Sequence, residues 1–374
     1  MKILVLFEYA NHYQTIDDLC RNLNKKGIKT LSFNIVYWRF QKASAEQRPL
    51  WIRLLAALAQ VPGLRGFINS RFRYRALLKL AEDYDLVDIH FFSSKYDPLI
   101  RELEHRGKQV KITIWGSDFY MADSIRREEQ RILYQKVRSI QVETGEIAKD
   151  FLKVYPELSD KVGIAHFGIV QLDLIDRLME EGGRVACKKE LEIPADRLVL
   201  TCGTNRSKGH RHLLMLESIE RLAPALREKL YLIIPMTYGG DRSYIPEVRQ
   251  KAEALGIPFR ILSSFLSLED LCRYRIVSDL TLTIQVSDAL ASAIQEHIYT
   301  GEILIAGDWL PYQVLKDQQV YFVSTALEAL DEVLTEVLAN YDSHAEKCLG
   351  NRERISAFSA WDHVIEDWLK IYMN

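Results

Sequence analysis

Cysteine is scarce in this chain of 374 residues, and the few cysteines that occur are scattered. They form no CxxC pair and no cluster with histidine, so the sequence predicts neither a zinc site nor a disulfide framework. An odd number of isolated cysteines is typical of a reducing compartment. The five are Cys20, Cys187, Cys202, Cys272 and Cys348.

Long apolar runs, a signal sequence and an excess of one charge are also missing. No apolar run reaches the roughly 18 residues that a membrane-spanning helix needs. The first residues, MKILVLFEY, resemble a buried strand rather than a signal peptide. The formal net charge is −2, so we do not expect nucleic-acid binding. Apolar residues make up 48% of the chain, which suits two globular domains of ordinary size.

Two phosphate-binding signatures are absent as well, since neither GxGxxG nor GxxxxGK[ST] occurs. Instead, apolar β-branched runs alternate with helix-forming segments along the whole chain. This alternation predicts the α/β class, with parallel sheets in two Rossmann-like halves. A polar stretch around Gly182-Gly183 interrupts the pattern. We therefore predict domains over residues 1–183 and 184–350, followed by a closing segment over 351–374.

The stretch from Thr281 to Tyr312 organises the second half. It predicts a buried strand, then a helix over Ala289–Tyr299, then a second strand. Ser287 and Asp288 stand where a helix cap and a first-turn acid belong, at the sheet edge where α/β proteins bind ligands. Glu296 follows eight residues after Asp288. Taken alone, Asp288 could be only a cap and Glu296 only a solvated helix acid.

A glycine-bounded turn follows the first strand of the second half. Gly203 ends that strand, and Arg206 and Lys208 lie in the turn before a predicted helix from His212. Backbone N–H groups, the helix dipole and two cations all favour a diphosphate here, and the alternative is a solvated turn. Tyr238 lies in the loop after the next strand, at the same predicted edge.

The first half carries a carboxylate at the corresponding edge. Its strand Val110–Trp115 runs into Gly116 and Asp118, and glycine allows a ligand to approach closely. In the alternative, Asp118 only caps the next helix. His90, near the end of another strand, is a second candidate, although a lone strand histidine is more often structural. The triplet Asp83-Tyr84-Asp85 precedes that strand, so we interpret it as a solvated turn rather than a metal site.

The segment Gln47–Ala81 contains seven bases and no acid. Apolar and aromatic residues lie between the bases, and Pro62-Gly63 divides the segment into two predicted helices. Basic amphipathic helices suit an anionic membrane surface. The alternative is a pair of surface helices whose arginines face solvent or a nucleotide. The candidate membrane-surface residues are Trp51, Arg53, Arg71, Arg73 and Arg75.

These features resemble the GT-B glycosyltransferases. In family 4 of that fold, the second domain carries a Gly-Arg turn with Lys-Gly, followed by an acid pair spaced E-x7-E. Here Arg206, Lys208 and Gly209 match the turn, shortened by about a residue. Asp288 and Glu296 match the acid spacing, with aspartate in place of the first glutamate.

Residues from Leu198 to Val323 are also similar to the family of 4-acetamido-4,6-dideoxygalactose transferases of enterobacterial common antigen synthesis. That likeness rests on the strand end Pro235-Met236-x-Tyr238, on YIxEVR from Tyr244, and on the helix-glycine-strand run to Trp309. In the first half, the WGSD strand end looks like the "HG-D" edge of the family 4 acceptor domain. Family 4 is retaining and the second family is inverting, so the stereochemistry stays open.

The resemblance implies two Rossmann-like domains facing across a cleft, with a C-terminal helix that returns to the first domain. It implies transfer of a sugar from a UDP- or dTDP-linked donor to a lipid-linked or polysaccharide acceptor in bacterial surface glycan synthesis. We expect the protein at the cytoplasmic face of the membrane, with no metal or other cofactor. Asp118 would be the catalytic base, with His90 as second candidate. The donor residues would be Gly203, Arg206, Lys208, Tyr238, Ser287, Asp288 and Glu296. The alternatives are a non-catalytic membrane-associated binding protein and a nucleotide-sugar epimerase.

Overall fold

A computed structural model of the chain describes residues 1–8, 13–36, 39–40, 50–61, 63–288 and 290–373. The chain forms two compact units. The first unit comprises Met1–Gly168 together with Trp361–Asn374, and the second comprises Ile169–Ala360.

Strands and helices alternate in the first unit, as the sequence predicts. Its elements up to residue 168 are β1 (Lys2–Phe7), α1 (Tyr13–Lys25), β2 (Lys29–Asn34), β3 (Arg39–Phe40), α2 (Leu50–Leu58), α3 (Leu64–Arg71), α4 (Arg73–Ala81), β4 (Leu86–His90), α5 (Asp97–His105), β5 (Gln109–Ile114), α6 (Ser117–Tyr120), α7 (Ser124–Tyr134), β6 (Ser139–Val142), α8 (Gly145–Val154) and β7 (Val162–Ile164). The sheet order is β3-β2-β1-β4-β5-β6-β7, and only the two-residue β3 runs antiparallel.

The second unit repeats this plan with six parallel strands. Its elements are α9 (Gln171–Glu180), α10 (Gly183–Glu190), β8 (Leu198–Cys202), α11 (His212–Glu220), α12 (Pro224–Arg227), β9 (Leu230–Pro235), α13 (Tyr244–Ala254), β10 (Phe259–Leu262), α14 (Leu268–Val277), β11 (Leu280–Thr283), α15 (Ser292–Tyr299), β12 (Ile303–Gly307), α16 (Gln313–Asp317), β13 (Val323–Thr325), α17 (Leu330–Ala339), α18 (Tyr341–Lys347) and α19 (Asn351–Ser359). The sheet order is β10-β9-β8-β11-β12-β13.

Both faces of each sheet are buried, which explains why the strands read as continuous apolar runs. In β1, Leu4 and Leu6 pack in one core cluster, while Ile3, Val5 and Phe7 pack in the other. Successive side chains of a strand point to opposite faces, so a strand covered on both faces buries nearly all of its side chains.

The boundaries of the two units differ from those predicted. Helix α9 packs Leu172, Ile175 and Leu178 into the core of the second unit. The polar stretch at Gly182-Gly183 is therefore a turn between two helices of the same unit rather than a linker. Ile355 of α19 also belongs to the second core, so the returning segment begins at residue 361 instead of 351.

The last helix, α20 (Trp361–Met373), packs on the first unit, as the resemblance implies. Trp361, Trp368 and Tyr372 join the cluster formed by β1 and α1. The indole N–H of Trp368 donates to the carbonyl of His166 at 2.7 Å. Together with the two parallel sheets, this helix completes the predicted GT-B architecture within the described residues.

Candidate functional site

The centre of the second sheet brings together loops that carry predicted donor residues. Strand β8 lies between β9 and β11 and runs parallel to both. The loops after Cys202, Pro235 and Thr283 therefore leave from one edge of the sheet. In doubly wound folds this is the point where the strand order reverses and where ligands bind.

Tyr238 and Glu296 line one cavity of about 250 Å³ at this edge, together with Thr204, Phe265 and Arg275. Phe265 is 82% exposed. Its ring lies nearly parallel to that of Tyr238, at an interplanar angle of 12° and a centroid distance of 6.4 Å. Exposed aromatic faces of this kind stack on nucleotide bases.

An ion pair holds Glu296 in the cavity wall. Nε of Arg275 donates to Oε2 of Glu296 at 3.0 Å, and both residues are buried. Sequence reasoning found Glu296 through its spacing from Asp288 but missed Arg275 and Phe265. The sequence signal for Phe265 is an aromatic residue in the short loop after β10, whereas Arg275 pairs with Glu296 only through the packing of α14 against α15.

Arg206 and Lys208, the two cations of the glycine-bounded turn, point toward protein groups rather than into the cavity. The buried guanidinium of Arg206 donates to the carbonyls of Met236 and Gly240 at 3.1 and 3.4 Å, which ties the turn to the neighbouring loop. Lys208 is exposed and lies 3.9 Å from a carboxylate oxygen of Glu247. Neither side chain lines the cavity. Both side chains thus have protein partners in this structure, and their contact with a diphosphate stays a prediction.

Two histidines that sequence reasoning did not select lie at the same turn. Gly203 has a φ of +72°, and a Cβ there would lie 3.0 Å from Nε2 of His212. Neither ring nitrogen of His212, nor Nδ1 of His210, has a hydrogen-bond partner in the described part of the chain. Burial lowers the pKa of His210, and it lowers the pKa of His212 to about 3. Each neutral imidazole still carries one N–H group that could donate to a ligand oxygen.

Ser287 and Asp288 precede α15 instead of opening it. The helix begins at Ser292, three residues after the predicted start at Ala289, which lies outside the described residues. Oδ2 of Asp288 accepts from the N–H of Ala291 at 3.2 Å and from the hydroxyl of Tyr312 at 2.6 Å. Asp288 thus fixes the loop before the helix, and Ser287 is exposed in that loop.

Asp118 lies at the matching edge of the first sheet, in the wall of a cavity of about 830 Å³. Asp118 is 9% exposed, and its carboxylate accepts hydrogen bonds from the N–H groups of Phe92 at 2.9 Å and Trp115 at 3.0 Å. Burial raises the pKa of Asp118 to about 6, although these amide hydrogen bonds oppose the rise. A carboxylate with such a pKa can take up a proton near neutral pH.

Charged side chains of both signs surround Asp118 in this cavity. Lys95 pairs with Glu8 at 2.6 Å, and Arg101 pairs with Asp97 at 2.5 Å. The cavity therefore offers many hydrogen-bonding groups and little net charge, which suits a polar, hydroxylated ligand.

His90, the second candidate for the catalytic base, is fully buried. Its Nε2 lies 3.1 Å from Oδ2 of Asp88, and its ring stacks on that of Trp368. Burial lowers the pKa of His90, while Asp88 opposes the change. This placement favours a structural role, because no substrate hydroxyl can reach a side chain enclosed by the core.

The basic segment forms three helices, α2, α3 and α4, rather than two, while Gln47 to Pro49 and Pro62 lie outside the described residues. Arg53 and Arg75 are exposed, and Arg73 is half-buried. Trp51 packs against the core beneath the ammonium group of Lys79, so it does not face outward as predicted. Exposed apolar side chains lie along the segment instead: Leu50, Leu54, Leu58, Val61, Leu64, Phe67 and Phe72.

The described residues lack two features, a cluster of metal-binding side chains and a helix that could span a membrane. They contain no group of three or more histidine, cysteine or acidic side chains placed to hold a metal ion. None of their helices is both long enough and apolar enough to cross a membrane.

No protein-family model matches the chain, and no curated protein matches it by sequence. Solved structures do match its fold. A glycosyltransferase from Rickettsia africae superposes with a TM-score of 0.73 at 11% identity, covering 99% of this chain and 97% of the other.

Two further structures superpose over the whole of this chain. Anabaena Alr3699/HepE, in complex with UDP and glucose, has a TM-score of 0.66 at 12% identity and is covered over 99% of its length. Sucrose-phosphate synthase from Thermosynechococcus elongatus has a TM-score of 0.66 at 14% identity, with 98% of its length covered. The chain therefore has the two-domain GT-B fold of these proteins.

Proposed function

We propose that this protein is a glycosyltransferase that takes its sugar from a nucleotide-sugar donor bound by the second unit. The observation that carries the proposal is the cavity at the edge of the second sheet, where Tyr238, Phe265 and Glu296 meet. The fold supports the same conclusion, since Alr3699/HepE shares it and has been crystallised with UDP-glucose.

The cavity and the turn after Gly203 together offer a suitable contact for each part of a nucleotide. A uracil or thymine base would stack on the exposed rings of Tyr238 and Phe265. The ribose hydroxyls would donate to Glu296. The diphosphate would lie at the turn after Gly203, where backbone N–H groups, the start of α11 and the neutral His210 offer donors. We assign the diphosphate to this turn rather than to the side chains of Arg206 and Lys208.

We propose that Asp118 is the group that acts on the acceptor hydroxyl. Transfer breaks the bond between the anomeric carbon and the diphosphate oxygen and forms a bond to an acceptor oxygen, whose proton must be removed. In an inverting reaction Asp118 would take that proton directly. In a retaining reaction it would only orient the acceptor hydroxyl.

Nucleotide binding tests the donor site. We expect calorimetry to show binding of UDP or dTDP, and we expect Phe265→Ala to weaken it about 5- to 100-fold through the lost stacking. Phe265→Tyr keeps the ring and should bind normally. If neither nucleotide binds the wild type, or if Phe265→Ala binds as well as Phe265→Tyr does, the donor site is assigned wrongly.

The product formed from the nucleotide sugar distinguishes a transferase from an epimerase and from a non-catalytic binding protein. Incubation with UDP- and dTDP-sugars should give transfer to an acceptor or slow hydrolysis of the donor. An isomerised nucleotide sugar would identify an epimerase, and binding without turnover would identify a non-catalytic binding protein. We expect turnover to survive a metal chelator, because backbone amides can stabilise the leaving diphosphate.

We further propose a lipid-linked acceptor of bacterial surface glycan synthesis, reached from the cytoplasmic face of the membrane. Support comes from the acid-free segment with exposed Arg53 and Arg75 beside exposed Leu54 and Phe67. Each base near an anionic surface contributes on the order of 1 kcal/mol, and the apolar side chains add to that attraction.

Vesicle sedimentation tests this assignment. We expect wild type to bind anionic vesicles at low salt and to dissociate as salt rises. Arg53→Glu with Arg75→Glu should abolish binding. The control, Lys229→Glu with Arg249→Glu, changes the net charge equally on exposed residues of the second unit and should bind like wild type. Equal loss in both variants would show that net charge, rather than this segment, drives binding.

A further inference from the structure

We propose that Arg275 and His297 form a positioning device that holds Glu296 ready to recognise the ribose of the donor. This inference rests on the proposed function, because it concerns how the same cavity selects its nucleotide. Neither residue is expected to touch the reacting atoms.

Arg275 stands at the centre of a buried chain of polar contacts. It is 5% exposed and Glu296 is 2% exposed. On one side its Nε donates to Oε2 of Glu296 at 3.0 Å. On the other side its Nη1 contacts Nε2 of His297 at 2.6 Å. The guanidinium is therefore fixed from two directions, and Glu296 is fixed through it.

The chain of contacts also sets the tautomer of His297. A guanidinium only donates hydrogen bonds, so Nε2 of His297 must accept, and a neutral ring then carries its proton on Nδ1. That nitrogen faces Glu302, and it lies 3.2 Å from the hydroxyl of Thr281. His297 is thus oriented by Thr281 on β11 and by Glu302, the residue immediately before β12.

Burial opposes charge on the two groups at the far end of this chain, His297 and Glu302. Burial lowers the pKa of His297 well below its ordinary value, and burial raises the pKa of Glu302 well above its own. Both shifts favour the uncharged forms of this pair, and Glu296 is the carboxylate that the Arg275 guanidinium contacts directly.

One oxygen of Glu296 remains for a ligand. With Oε2 held by Arg275, Oε1 makes no hydrogen bond to the part of the chain that the structure describes. Because Glu296 lines the cavity, Oε1 is the oxygen that can accept from a ribose hydroxyl. Fixing the carboxylate before the ligand arrives reduces the freedom lost on binding, which strengthens discrimination between sugars that have or lack that hydroxyl.

The experiment compares UDP with 2′-deoxy-UDP and 3′-deoxy-UDP by calorimetry. We expect wild type to prefer UDP over at least one deoxy analogue by about tenfold or more, as a hydrogen bond to a charged group allows. Arg275→Met should bring that ratio close to one, because Glu296 is no longer held. A purely structural role would weaken all three nucleotides equally and leave the ratio unchanged.

Arg184→Met is the matched control. Arg184 also pairs with a buried carboxylate of the second unit, that of Asp279, but neither residue lines the cavity. We expect this variant to keep the wild-type ratio. His297→Gln is a second test should Arg275→Met fail to fold, and it too should lower the ratio.

The possible results distinguish an error in the positioning role of Arg275 and His297 from an error in the proposed donor site. If wild type prefers UDP but Arg275→Met and His297→Gln keep the full preference, the positioning role is wrong and the donor site stands. If wild type does not distinguish UDP from the deoxy analogues, the ribose contact of Glu296 is wrong. If wild type does not bind UDP at all, the proposed use of a UDP-linked donor is wrong.

Discussion

At the scale of single residues, burial and hydrogen bonds decide what a side chain can do. Asp118 and His90 are both predicted at strand ends of the first sheet, but Asp118 lines a cavity whereas His90 is fully buried. Desolvation raises the pKa of Asp118 to about 6, so its carboxylate is ionised at pH 7 but close to its titration range.

The first prediction concerns the pH dependence of turnover. If Asp118 is the base, only its ionised form is active, so kcat/KM should fall about tenfold per unit as pH drops below about 6. Asp118→Asn should lose roughly 10²- to 10⁴-fold in kcat and lose this acidic limb. Stopped assays across pH 4.5–8 with saturating donor, at about half-unit steps, would measure both effects.

Asp123→Asn is the control for that experiment. Asp123 caps α7 by accepting the N–H of Arg126 at 2.9 Å, and asparagine caps helices equally well. We expect normal turnover with the acidic limb intact. Near-normal turnover of Asp118→Asn would remove Asp118 from the reaction.

At the scale of elements, two loops of the second unit depend on each other's backbone. Arg206 ties the loop that carries Tyr238, and Gly240 of that loop packs against the backbone of the Gly203 turn. A Cβ on Gly240 would lie 3.0 Å from the carbonyl oxygen of Arg206 and 3.1 Å from Cα of Ser207. Close packing of the two loops therefore requires glycine at this position.

The second prediction follows from that contact. Gly240→Ala should push the two loops apart and raise the Kd for UDP at least several-fold, measured by calorimetry. Gly256→Ala is the matched control, because Gly256 also has a positive φ of +66° but has nothing within 4 Å of its Cβ position. Both variants should lose about 1–2 kcal/mol of stability from backbone strain. Equal UDP affinity in the two variants would contradict the proposed coupling of the loops.

A buried ionic cluster joins α20 to the first sheet. Oδ2 of Asp88 receives hydrogen bonds from Lys111 at 2.9 Å and from the hydroxyl of Tyr372 at 2.6 Å. Burial alone would raise the pKa of Asp88, but Lys111, His90 and Tyr372 outweigh it and hold the pKa low. His90 thus serves this cluster, which explains its position at a strand end without a catalytic role.

The third prediction measures this attachment. Tyr372→Phe removes a hydrogen bond to a buried charge and should lower the free energy of unfolding by about 1.5–3 kcal/mol. Tyr134→Phe is the control, because the buried hydroxyl of Tyr134 has no partner among the described residues. Removing that hydroxyl should leave stability unchanged or raise it, because a buried hydroxyl without a hydrogen-bond partner costs free energy. Urea denaturation would compare the two, and equal effects would show that the Tyr372–Asp88 bond contributes nothing specific.

At the scale of the whole molecule, the chain passes twice between its units, after Gly168 and after Ala360. The cavity that we propose for the donor is lined by residues of the second unit, between Gln171 and Glu296. The helix after Ala360 supplies core side chains only to the first unit.

The fourth prediction uses this division. A chain that ends at Ala360 should lose much of the stability of the first unit, because Trp361, Trp368 and Tyr372 leave its core. Its affinity for UDP should remain within about threefold of wild type, which is a change below 1 kcal/mol. Calorimetric titration measures the affinity, and near-ultraviolet dichroism reports the lost packing. Loss of UDP binding would show that the donor site depends on the first unit.

The sequence by itself determined the α/β class, the strands and the sheet edge at which the functional residues lie. These follow from local rules, since an apolar β-branched run forms a buried strand and a glycine or acid after it marks the loop at its carboxyl end. Asp118 and Tyr238 are predicted from their positions after strands, and Glu296 from its spacing to Asp288, so all three predictions depend only on local sequence.

Only the tertiary structure decided which side chains face a ligand. The guanidinium of Arg206 turns to carbonyls some 30 residues away, and Arg275 pairs with Glu296 across 21 residues. Trp51 and His90 turn inward for the same reason: each gains contacts from helices distant in sequence. Where a charged or aromatic side chain has several partners within reach, the packing of distant elements selects one, and no local pattern records that choice.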